Sequence, residues 1–140
     1  MNLSDHNNNL GRFFEDYAVG DIITHATPRT LTEADASLYI SIYPTRFALQ
    51  SSAEFARNCG LKDRPLDDLI VFHTVFGKTV PDISINAVAN LGYAEGKFYN
   101  MVFSGETLSV KSEIIGLKQN SSGKTGIVYV KTKGQNSSGE

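Results

Sequence analysis

Pro65-Leu66-Asp67-Asp68-Leu69-Ile70-Val71-Phe72-His73-Thr74-Val75-Phe76-Gly77-Lys78-Thr79-Val80-Pro81 is the stretch that decides the architecture. Leu66, Leu69, Ile70, Val71, Phe72, Val75, Phe76 and Val80 make a helix apolar nearly all round, and such a helix is one that other elements enclose. Asp67 and Asp68 stand in its first turn, where negative charge suits the helix dipole. Pro65 fits its N-terminal edge, Gly77 admits a close neighbour, and Pro81 is expected to stop it.

Upstream, the pattern breaks into shorter pieces. Met1 to Gly11 is polar and Asn-rich, with too little apolar surface to offset the entropy of ordering it, and reads as a disordered tail. Order is expected to begin near Phe13 and Phe14. Val19-Gly20-Asp21 reads as a turn into a short strand, Ile22 to Ala26, in which Ile22, Thr24 and Ala26 alternate with Ile23 and His25. Thr30 and Glu33 have the spacing of a capping box, and Ala34, Leu38 and Ile42 then recur at helical spacing until Pro44. Ser51 and Glu54 form a second such box, opening a short helix from Ala53 to Asn58 that Gly60 ends.

Downstream of Pro81 the period turns to alternation. Phe98 to Phe103 reads as a strand and Ser104-Gly105 as a turn. Leu108, Val110 and Ile114 share one face of the next strand, with Lys111 and Glu113 on the other. Asn120-Ser121-Ser122-Gly123 reads as a hairpin turn into a last strand carrying Val128 and Val130. Helices followed by a strand meander give an α+β fold, with a curved antiparallel sheet wrapped around one long buried helix, the hotdog arrangement. The expected division is a tail over 1–11 and one hotdog domain over 12–140. Gly134 to Glu140 is turn chemistry that ordinarily leads into another strand, so the stretch is read either as a frayed tail or as a domain stopping one strand early.

The bulk numbers narrow the function classes. A chain of 140 residues, 41% hydrophobic and 20% charged, has the composition of a single soluble domain. A net charge of −2 without any basic block argues against nucleic acid, and no apolar run is long enough to span a bilayer. The one cysteine, Cys59, excludes an internal disulfide framework and fits a reducing cytoplasm, where the Asn-x-Ser sites at Asn2, Asn120 and Asn136 carry no glycan. His6, His25 and His73 are scattered, so no metal or other cofactor is expected. His6 falls in the tail. A hydrogen-bonded structural role suits His25, while His73, on the apolar helix, needs a partner or a ligand tunnel and is expected to face a groove against a partner subunit. Asp67 or Asp68 with His73 would supply the acid and base of a hotdog thioesterase, but first-turn dipole compensation explains both aspartates without invoking function.

Pro44-Thr45-Arg46-Phe47-Ala48-Leu49-Gln50, followed by Glu54-Phe55-Ala56-Arg57-Asn58-Cys59-Gly60-Leu61, resembles the hydratase segment of the MaoC-like enoyl-CoA hydratases, Gly-Asp-x-Asn-Pro-x-His and then a short helix ending in Gly. Asn90-Leu91-Gly92-Tyr93, Phe98 and Phe103-Ser104-Gly105-Glu106-Thr107-Leu108 look like later motifs of that family. His25 to Thr30, Arg46 to Ser52 and Phe76 to Ser84 resemble the N-terminal repeat of its two-repeat members, which act on mesaconyl-CoA-like thioesters. The resemblance implies reversible addition of water to an enoyl thioester, with an Asp and a His handling the protons and backbone N–H groups holding the enolate. Here those two positions fall on Thr45 and Gln50, neither of which is a usable acid or base near neutral pH. The chain is therefore expected to be the non-catalytic repeat, without catalytic residues of its own. Thr45, Gln50, His73, Asn90, Gly92 and Tyr93 are its candidate acyl-CoA-binding residues. A homodimer is expected, because a hotdog sheet continues edge to edge into a second copy.

Overall fold

Every strand pairs with one long strand, β3 (Thr107–Gln119), in the computed structural model, which describes residues 11–44 and 47–140. The expected tail up to Leu10, with His6, therefore lies outside the described residues, as does Thr45. Along β3 the alternation expected from the sequence holds: Leu108, Val110, Ser112 and Ile114 are buried, and Ser109, Lys111 and Glu113 are exposed. Burying each of those aliphatic side chains contributes about 1.5–3 kcal/mol.

β1 (Ile22–Thr24) and β2 (Arg29–Thr30) run antiparallel to β3, with Ile23 opposite Ser112 and Arg29 opposite Leu108. The strand expected from Ile22 to Ala26 is thus shorter, ending at Thr24, and β2 is a further strand that follows Thr27, where φ is positive at 56°. Ile23 and His25 point inward all the same, and Ile22 outward. β4 (Gly126–Gln135) covers the other edge of β3, joined by the turn at Asn120–Gly123, where Gly123 N donates to Asn120 O at 2.9 Å. Its own far edge has no strand beside it among the described residues.

The helices follow their caps rather than the boxes read from sequence. In α1 (Glu33–Ile42) the cap is Thr32, with Asp35 as its reciprocal partner. Thr30 is taken up by β2, its hydroxyl 2.7 Å from that of Thr107, so it cannot cap. Likewise Ser51 ends the short α2 (Ala48–Ser51), and Ser52 accepts the Phe55 N–H to open α3 (Ala53–Asn58).

α4 (Asp68–Thr79) is the long helix, capped by Asp67. Pro81 does not stop it. The chain widens into a π-turn, Val80–Ser84, closed by Ile85 N donating to Val80 O at 2.9 Å. The wider turn accommodates a proline that lacks the N–H of an ordinary helical turn. Only one side of α4 is enclosed: Ile70, Val71 and Val75 pack on Leu31, Ala36, Leu66 and Leu108. Leu69 is 54% exposed and His73 lies open on that outer side. One sheet wraps one face of a helix, so the all-round burial expected from its composition is not met within this chain.

Phe98 to Phe103 is irregular, bent at Asn100, and forms no strand, because no ladder flanks it; Leu66 N, donating to Val102 O at 2.8 Å, anchors it to the start of α4. A second core cluster, Tyr17, Ile23 and Ile114 with Ile83 and Val130, ties the π-turn to the sheet.

Candidate functional site

The short helix α2 exists because Phe47 and Gln50 close a single turn, Gln50 N donating to Phe47 O at 3.0 Å. That turn buries Gln50, and the Arg64 guanidinium, donating to Gln50 O at 3.1 Å, fixes it against the approach to α4. Gln50 then forms one wall of a cleft of about 230 Å³. Phe47, Pro65 and Asp68 complete that side, and the segment from Phe98 to Met101 closes the other. Burial pushes the Asp68 carboxyl above its ordinary range, and the neighbouring Asp67 charge adds to the effect. Asp67 itself is committed to capping, accepting from Leu69 N at 2.9 Å.

A second cleft has a volume of about 300 Å³. Glu33, Lys62, Asp63, Arg64, Phe103 and Ser104 line it. Arg64 pairs with Glu33 and Arg57 with Asp63, while the Lys62 ammonium sits 4.4 Å from the centre of the Phe103 ring.

The residues singled out from sequence do not converge. Gln50 is in the first cleft. His73 is on the outer face of α4, beside the rings of Tyr39 and Phe72 at 6.3 and 5.7 Å, and lines neither cleft. In the single chain it is exposed, on the face where the expected groove against a partner subunit would lie. Asn90, Gly92 and Tyr93 are exposed as well. Tyr93 packs edge-on against Phe72 and Phe76, at 5.1 and 5.3 Å, and takes a 2.6 Å hydrogen bond from the Asn90 amide. Asp68 and His73, the acid and base of the thioesterase alternative, are likewise apart. Five positions along a helix place them on different faces, and only Asp68 reaches the cleft.

His25 holds the structural role read from sequence. Its Nδ1 is 2.7 Å from Asp82 Oδ2 and its Nε2 is 2.8 Å from Ser112 Oγ, which is 2.8 Å from Thr132 Oγ1. The connectivity is that of a nucleophilic triad, but Ser112 is 1% exposed and lines neither cleft, so no substrate reaches it. The sequence carried one signal for this network: a serine on the inward, apolar face of a strand. Among the described residues, no cluster of three His, Cys, Asp or Glu could hold a metal, and no helix is long and apolar enough to cross a membrane.

Comparison with known proteins decides the family. The model of the mesaconyl-CoA hydratase family matches residues 3–140. The chain belongs to that family. Mesaconyl-CoA hydratase of Cereibacter sphaeroides is 59% identical over 132 residues, 94% of this chain and 38% of the relative. Beta-methylmalyl-CoA dehydratase of Chloroflexus aurantiacus is 60% identical over 128 residues, 91% of this chain and 36% of that protein. A crystal structure of a MaoC domain protein dehydratase from the same organism superposes with a TM-score of 0.90 at 59% identity, covering 93% of this chain and 37% of that one. A Mycobacterium tuberculosis protein described as a double hotdog shares the fold, with a TM-score of 0.83 at 22% identity, over 93% of this chain and 41% of that one. The hotdog fold expected from the sequence is therefore the fold of the family, and the chain spans well under half the length of these relatives.

Proposed function

We propose that the chain is the non-catalytic hotdog repeat of an enoyl-CoA hydratase acting on mesaconyl-CoA-like thioesters, and that it supplies acyl-CoA-binding surface to a second repeat. The observation that carries this reading is Gln50. It is buried in the wall of the cleft, at the position where the resemblance to MaoC-like hydratases requires a histidine. An amide hydrogen-bonds a ligand but neither takes nor gives a proton near neutral pH. Thr45, aligned with the family's Asp, is a hydroxyl with the same limitation. Asp68 is the single carboxyl in the cleft wall, and no imidazole lines the cleft with it.

The open side of the fold supports a partner. Leu69, Phe98 and Met101 are about half exposed around the cleft, and Tyr93 is 61% exposed where it covers the Phe72 and Phe76 rings. An aromatic, apolar surface of this kind marks an interaction face. A second hotdog repeat fits it, and in the isolated chain a second copy takes that place as a homodimer. Hydration of mesaconyl-CoA by the purified chain tests the reading. No turnover is expected, since each positioned acid or base contributes roughly 10²–10⁴ in rate. A rate within about tenfold of an ordinary ~10 per second would overturn it.

A further inference from the structure

The two clefts have different chemistry and are linked through Arg64, which lines the second and donates to the Gln50 carbonyl beside the first. The first contains Gln50, Asp68, Tyr99 and Asn100 among apolar side chains and no cation. It offers acceptors and amide groups suited to an uncharged chain bearing amides, and no counter-charge for an anion. The second balances Lys62 and Arg64 against Glu33 and Asp63, and pairing leaves one of its cations over. Arg57 and Arg64 are offset by Asp63 and Glu33, while Lys62 has no carboxylate partner among the described residues. Lys62 instead lies over the Phe103 ring, with the Ser104 hydroxyl in the same cleft. Arg64 joins the two, its guanidinium donating to the Gln50 carbonyl on one side and pairing with Glu33 on the other.

We propose that the cleft of Lys62, Arg64, Phe103 and Ser104 takes the phosphate-bearing end of a coenzyme A thioester, whose uncharged pantetheine arm lies in the neighbouring cleft of Gln50, Asp68 and Asn100. The inference rests on the acyl-CoA reading above and assigns it a place. A coenzyme A thioester presents these chemistries in this order: a neutral, amide-bearing arm and then phosphates. The ammonium of Lys62 and the hydroxyl of Ser104 donate to phosphate oxygens, and Lys62 leaves the Phe103 face to reach them. The Asp68 carboxyl and the Gln50 and Asn100 amides meet the amide groups of the arm.

The test uses a chimera in which this chain replaces the matched part of the Cereibacter sphaeroides relative. KM is measured for mesaconyl-CoA and for the mesaconyl thioester of N-acetylcysteamine, which lacks the phosphates. With Lys62→Glu, the ratio of the first KM to the second is expected to rise about tenfold, the size of one lost charge-assisted contact, and Lys62→Arg restores it. Lys124→Glu, an equal charge change in the β3–β4 turn, leaves the ratio alone. A ratio unmoved by Lys62→Glu, or moved as far by Lys124→Glu, overturns the assignment. Calorimetry on the chain itself judges the cleft without turnover. Coenzyme A binding that weakens about tenfold with Lys62→Glu supports the assignment even if the chimera is inactive and the hydratase reading fails. Equal affinity for coenzyme A and pantetheine overturns it even if the chimera is active.

Discussion

Asp68 sits where two effects oppose each other. The first turn of α4 favours its negative charge, while burial in the cleft wall and the Asp67 carboxylate disfavour it, and the second pair prevails. A carboxyl raised in the folded state binds its proton more tightly there than in the unfolded chain. Stability therefore falls as pH rises from the unfolded carboxyl value through the folded one. Asp68→Asn removes that loss: the variant is expected to be more stable than the parent near pH 7 and to lose the advantage near pH 3. Thermal unfolding followed by circular dichroism at both pH values checks this; a variant less stable near pH 7 contradicts the stated balance. At Ser112 the expected effect is larger. Ser112→Ala leaves the buried His25 Nε2 without its partner, costing about 1–3 kcal/mol in urea unfolding. At this scale the sequence was informative wherever strand alternation fixes orientation, as for His25 beside Ile23. It was silent on Asp82, whose approach to His25 depends on a π-turn that no local pattern announces.

At the scale of elements, a helix is placed by the residue that satisfies its first free N–H groups, and spacing alone does not choose between rivals. Thr30 and Thr32 both precede α1 with a carboxylate three residues on. Pairing with β3 removes Thr30 from the competition and leaves Thr32, whose hydroxyl accepts the Asp35 N–H at 3.3 Å while the Asp35 carboxylate accepts the Thr32 N–H at 2.9 Å. Thr32→Ala is accordingly expected to cost about 0.5–2 kcal/mol, and Thr30→Ala, an exposed site, no more than about 0.5 kcal/mol. Equal losses in urea unfolding would return the cap to an open question between the two. The same tertiary competition explains Phe98 to Phe103, whose alternation is that of a strand but which has no neighbouring ladder to join, so it serves as a cleft wall instead.

At the scale of the whole molecule, the hotdog architecture was legible because it rests on one strongly apolar helix and one alternating hairpin, patterns long enough to outvote local ambiguity. The candidate site was legible in part. Gln50 could be placed through the motif around it, whereas Asp68 entered the cleft by virtue of how the 98–101 segment folds back, a contact thirty residues away in sequence. His73 and Tyr93 belong instead to the open aromatic face of α4. That face and the free edge of β4 predict self-association of the isolated chain. Light scattering across micromolar concentrations is expected to give a dimer, and a clean monomer at high micromolar concentration would count against the second copy. The central claim, a non-catalytic repeat that shapes the site of a catalytic one, is tested most directly by mesaconyl-CoA hydration with the chain alone and with the chimera carrying the rest of the Cereibacter sphaeroides enzyme. The account predicts no turnover from the chain and restored turnover from the chimera. Turnover by the chain alone, or a folded chimera with none, would contradict it.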